Sequence, residues 1–158
     1  MAAPNYMNMI NEAGLDSVNG NSRVRATSTS GTNPLGTMYM QGTGTPITYT
    51  GTTQTMTAAN LLTGMIIGQP SGSATYTTDT AANIIAAMNA ASAGVQVGDY
   101  LECYLANDAA IAVVITIAGG TNVTPARATN LTLTGGQSCI LTFRCTAVGA
   151  TPTFTLYF

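Results

Sequence analysis

Apolar and polar residues alternate most clearly between Val97 and Ala118, where Leu101, Cys103 and Leu105 interleave with Tyr100, Glu102 and Tyr104. A period of two marks a strand that buries one face. In a second run, Ile111, Val113, Ile115 and Ile117 interleave with Ala112, Val114 and Thr116. That run is apolar on both faces, which predicts a strand inside a sandwich or against a neighbouring subunit. Asn107-Asp-Ala-Ala separates the two, and Asn and Asp tolerate turn geometry, so the pair reads as a β-hairpin at the centre of an all-β domain.

The same reading extends from Thr45 to the last residue. Ile47-Thr-Tyr-Thr, Gln54-Thr-Met-Thr and Ala74-Thr-Tyr-Thr-Thr predict short strands, the last preceded by the turn cluster Gln69-Pro-Ser-Gly-Ser. Within Ala58 to Gly68, Leu62, Met65 and Ile67 supply apolar anchors around Gly64. One stretch has helical spacing: Asp79 or Thr80 can cap it, Ile84, Ile85 and Met88 share a face, and Gly94 stops it. This predicts a short helix lying as a lid over one end of the sandwich. Gly119-Gly-Thr-Asn turns the chain into an edge segment at Val123-Thr-Pro, because Pro125 cannot donate to a ladder. Ala128 to Thr134 and Gln137 to Ala147 flank Gly135-Gly136 and predict a second hairpin. In its longer strand, Cys139, Leu141, Phe143 and Cys145 oppose Ile140, Thr142, Arg144 and Thr146, and the final strand sets Phe154, Leu156 and Phe158 against Thr153, Thr155 and Tyr157. Eight or so short strands at turn-delimited spacing predict an all-β, jelly-roll-like β-sandwich over residues 45–158.

Residues 1–44 have no sustained period. They are rich in Asn, Gly, Ser and Thr with scattered Met and Tyr, and such a segment buries too little apolar surface to offset its own ordering entropy. It reads as an extended N-terminal arm that attaches to a neighbour. Tyr6, Met7, Met9, Ile10, Leu15, Arg23, Arg25, Met38, Tyr39 and Met40 are its candidate attachment residues, and an extension folded back on its own domain is the alternative.

Composition narrows the chemistry. Charged residues make up 6% of the chain, with four arginines, six acids, no lysine and no histidine. An ordinary globular chain carries roughly 25%, so hydroxyl and small side chains must form much of this surface. A net charge of −2 with four arginines cannot neutralise the several phosphates that nucleic-acid binding requires, and no polybasic face is available for an anionic membrane. Nor is any apolar run long enough to span a bilayer, or any signal-peptide layout present. Without histidine no Ser, Thr or Cys has an imidazole base, and without lysine a phosphate loop cannot form. Asp99 and Glu102 are the nearest pair of carboxylates, but their spacing points them to opposite faces, and Asp99 after Gly98 reads as a solvated turn residue. Cys103, Cys139 and Cys145 fit no zinc spacing and read as small buried thiols. Asn122 and Asn130 stand in glycosylation-type triplets that a threonine-rich chain produces by chance. No cofactor is expected.

Residues 55–123 carry a recognisable order: a T-AANLLTG strand, an ATYT strand, a TAANIIAAM helix, a VGDYLEC strand, an Asn-containing turn and an apolar strand ending in AGG. With the C-terminal strands, this resembles a module of structural proteins from tailed phages and other viruses. The resemblance covers about two-thirds of the chain and leaves out residues 1–44. It implies a non-enzymatic homotrimer on the outer surface of a virion, serving as a capsid decoration (cement) protein or as a head- or tail-fibre tip that binds a receptor or glycan. For the cement role, the implied partner is the major capsid protein, gripped by the N-terminal arm.

Overall fold

The computed structural model describes residues 44–91, 94–127 and 131–158, together with the backbone of 15–18, 21–24 and 39–41. Two short strands, β1 (Leu15–Val18) and β2 (Asn21–Val24), pair antiparallel with each other, while β3 (Tyr39–Gln41) pairs in parallel with residues 100–102. The end of the expected arm therefore contributes a strand to the main sheet.

Ten strands and two helices follow: β4 (Ile47–Tyr49), β5 (Thr53–Met56), α1 (Ala58–Leu61), β6 (Met65–Gly68), β7 (Ala74–Thr78), α2 (Ala81–Ala91), β8 (Tyr100–Asn107), β9 (Val114–Ala118), β10 (Val123–Pro125), β11 (Leu131–Thr134), β12 (Ser138–Ala147) and β13 (Thr153–Tyr157). They form a sandwich of two sheets. The seven-stranded sheet runs β10-β13-β12-β8-β6-β4, with β3 sharing the β8 edge, and the four-stranded sheet runs β11-β9-β7-β5.

From β4 to β9 successive strands alternate between the two sheets, so the chain winds. Neighbours β4, β6 and β8 are parallel in one sheet, and β5, β7 and β9 are parallel in the other. Only then does the direction reverse, with β11 antiparallel to β9 and β12 antiparallel to β8. A jelly roll needs antiparallel Greek keys. The described strands depart from that expectation while keeping the two-sheet sandwich.

Winding also overturns both predicted hairpins. β8 and β9 lie in different sheets, and so do β11 and β12. In each case the turn residues between them carry the chain across the sandwich. Asn107 does this for the first crossing: its Nδ2 donates to the carbonyls of Val113 at 3.0 Å and Leu133 at 2.8 Å, and its Oδ1 accepts from the Ala109 N–H at 3.2 Å. Only 1% exposed, Asn107 is a buried clasp rather than a hairpin tip, whereas Ile111, expected in the apolar strand, is 84% exposed on the crossing. Gly135 makes the second crossing beside the first. A Cβ there would lie 2.2 Å from the Ala110 carbonyl oxygen.

Both helices sit in connections that leave the four-stranded sheet and enter the seven-stranded one, hence at one end of the sandwich. α1 replaces the expected T-AANLLTG strand, because the Thr57 side chain accepts from the Asn60 N–H and caps a single turn. Its turn buries Leu61, and β6 buries Ile66, while Leu62, Met65 and Ile67 are only half-buried. α2 is the expected helix, buried through Ala81, Ile84 and Met88. Thr80 caps it, accepting from the Asn83 N–H at 3.2 Å. Asp79 ties the helices together: one oxygen accepts from the Ala58 N–H at 2.8 Å, the other from the Thr80 N–H at 2.8 Å and Asn83 Nδ2 at 2.7 Å.

One core joins the inner faces. Leu101, Leu105, Phe143, Phe154 and Leu156 meet Tyr76, Ile115 and Ile117. The sheets approach so closely at Gly68 that a Cβ would lie 2.5 Å from Ile115 Cδ1. Tyr49 and Tyr76 meet edge to face at 5.5 Å, and the Tyr76 hydroxyl donates to the Tyr49 carbonyl. As predicted, β10 takes a sheet edge and the C-terminal strand is tied into the sheet.

Candidate interaction surface

The two outer faces of the sandwich have opposite characters, and strand register shows why. In the four-stranded sheet, residues at alternate positions point inward as Met56, Tyr76, Ile115 and Leu133. Their outward neighbours are largely threonines: Thr53, Thr75, Thr116 and Thr132 stand in one row across all four strands, and Thr55 and Thr77 begin the next. Hydroxyl groups keep this face hydrated without charge.

The outer face of the seven-stranded sheet is built differently. Met65, Tyr104 and Ile140 form one row, and Glu102, Thr142 and Tyr157 the next, followed by Tyr100, Arg144 and Thr155. Ile140 is 53% exposed, and Tyr104 and Tyr157 are exposed as well. Two grooves adjoin at Glu102: one of about 410 Å³ lined by Gly98, Tyr100, Glu102, Thr142, Arg144 and Tyr157, and one of about 340 Å³ lined by Gly64, Met65, Glu102, Tyr104 and Ile140. Thr142 Oγ1 donates to Glu102 at 3.4 Å, a long bond, and among the described residues neither Glu102 nor Arg144 forms an ion pair. An exposed aromatic, charge-poor sheet face of this kind is a candidate interaction surface.

Alternation within β8 alone sets Tyr100, Glu102 and Tyr104 on one side of the strand. The missed signal was the register that sets Ile140 and Tyr157 on that same face, since each strand alone offers only one or two apolar residues outward. Of the candidate attachment residues, Leu15 lies in β1, Arg23 in β2, and Tyr39 and Met40 in β3 beside Tyr100 and Leu101. Tyr6, Met7, Met9, Ile10, Arg25 and Met38 lie outside the described residues.

The other singled-out groups are structural. Asp99 is 2% exposed, which corrects its reading as a solvated turn residue. Its Oδ2 accepts from the Gln96 N–H at 2.9 Å and closes the loop ahead of β8. Cys103 and Cys145 are buried free thiols and Cys139 is half-buried. Burial, reinforced by Cys139, pushes the Cys103 thiol up to about 12. Burial also pushes Cys139 to about 11 and, with Asp99 adding to it, Cys145 to about 11. All three are held as neutral thiols at neutral pH. Among the described residues no cluster of Cys, Asp or Glu is placed to hold a metal ion, and no helix is long and apolar enough to cross a membrane. Compared with family models, curated proteins and solved structures, the chain matches none.

Proposed function

We propose that this chain is a non-enzymatic structural protein of a virion surface, a homotrimeric decoration protein whose N-terminal arm grips the major capsid protein. One observation carries the reading: the sandwich presents a threonine face suited to water on one side and an aromatic, charge-poor face suited to protein contact on the other. A body with one wet face and one sticky face assembles. The absence of histidine and lysine from the sequence removes the commonest acid–base and nucleophilic devices and supports a role in contact rather than turnover. Three copies of a weakly adhesive arm on one rigid body bind multivalently, and linked sites gain roughly 10²–10⁴ in avidity over a single one.

A second reading, a fibre tip that binds a glycan, is favoured by the groove in which Tyr100 and Tyr157 accompany Glu102 and Arg144, since aromatic faces with polar partners suit a sugar. Incubating the full-length protein with undecorated capsids and with host cells separates the two. Saturable capsid binding supports the decoration role, cell binding alone supports the fibre tip, and binding to neither contradicts both.

A further inference from the structure

We infer that the outer face of the seven-stranded sheet is where copies of this chain meet, with Glu102 of one protomer paired to Arg144 of its partner. The inference rests on the homotrimeric reading and names its interface.

Three features of this face point to a second copy as its occupant. The first is charge complementarity. Glu102 and Arg144 stand on adjacent strands one row apart, opposite in sign, and neither has an ion-pair partner among the described residues. Each protomer therefore offers both halves of a bridge, so around a threefold axis Glu102 of each protomer meets Arg144 of the next and the ring closes. The second is area. Six strands at ~4.8 Å, carrying one to five outward positions each at ~6.8 Å, give a face of about 500 Å², about half of the ~1,000 Å² total that a biological contact needs, so two such faces together reach that lower bound. The third is anatomy: Tyr100, Tyr104, Ile140 and Tyr157 make this face rich in aromatic and apolar side chains with one acid and one base among its described strand residues, and interfaces are enriched in aromatic residues and depleted in charged ones. The threonine face opposite has none of these features.

The test measures native mass and subunit dissociation constant for full-length wild type, Ile140→Arg, Glu102→Arg, Arg144→Glu and the double variant Glu102→Arg/Arg144→Glu. Ile140 and Arg144 are exposed in the protomer, so their variants fold even if the half-buried Glu102 tolerates change less well. Ile140→Arg should weaken assembly by at least about 100-fold, as should each single charge change, and the double variant should recover most of that loss. An assembled protein in which Ile140→Arg has no effect overturns the inference while leaving the trimer standing. The same holds if the double variant is as weak as the two single losses combined. A wild type that is monomeric at every concentration overturns the trimer and this interface together.

Discussion

Replacing Asn107 with alanine should destabilise the protein far more than its place in an Asn-Asp-Ala-Ala turn suggests. The side chain is 1% exposed and makes three hydrogen bonds, two of them donated to the carbonyls of Val113, just ahead of β9, and Leu133 in β11. Truncation strands both acceptors, and an unsatisfied buried polar group costs about 1–3 kcal/mol. The Leu133 bond is fully buried, while the Val113 bond is only partly so and water can replace it in part. The loss should therefore be about 2–4 kcal/mol. At about 2–4 °C per kcal/mol for a domain of this size, Tm should fall by roughly 5–15 °C. The assay is urea and thermal unfolding by circular dichroism at fixed protomer concentration, so that assembly does not shift the comparison. Asp108→Ala, which removes one exposed bond from Gln69, is the control and should stay within about 0.5 kcal/mol. If Asn107→Ala also stays within that limit, the residue is not a clasp between sheets and the crossing is wrong.

Asp79→Ala should cost about 2–3 kcal/mol in urea unfolding, because three accepted bonds that join α1 to α2 are lost together; a change under about 0.5 kcal/mol would separate the two helices energetically. Gly135→Ala should cost about 3 kcal/mol or more, since its Cβ would press on backbone oxygens at 2.2 and 2.5 Å. Gly136→Ala, with open space and φ of +82°, should cost only about 1 kcal/mol; equal losses would refute the close crossing. The three thiols and Tyr76, whose hydroxyl burial pushes to about 12, are raised above their ordinary values of 9 and 10. The stability they contribute is fully present below pH 9 and is lost as pH climbs through about 11–12, because the unfolded chain releases these protons first. Without lysine no amine side chain obscures that window. Urea midpoints should thus decline from pH 9 to 11, and flat or rising midpoints would contradict the burial.

Local elements were legible in the sequence wherever a period was expressed within one segment. β8, β12 and β13 show strict alternation with one face buried, and α2 shows its cap and its Ile84 and Met88 stripe, so their existence follows from residue spacing alone. Which sheet each strand joins was not legible. Asn107-Asp108 and Gly135-Gly136 have the chemistry of tight turns, and tight turns serve crossings between sheets as readily as hairpins within one. The choice is made by partners far away in sequence, such as the Leu133 carbonyl for Asn107. α1 was missed because one capped turn leaves no periodicity. The proposed contact face was hidden for a related reason: Tyr104, Ile140 and Tyr157 come from three strands, and only their register makes them one surface.

Assembly through that surface is the centre of the account, and native mass in solution across a range of dilutions tests it most directly. The account predicts a species of three times 16.1 kDa that persists on dilution. A single species of 16.1 kDa at every concentration would contradict it.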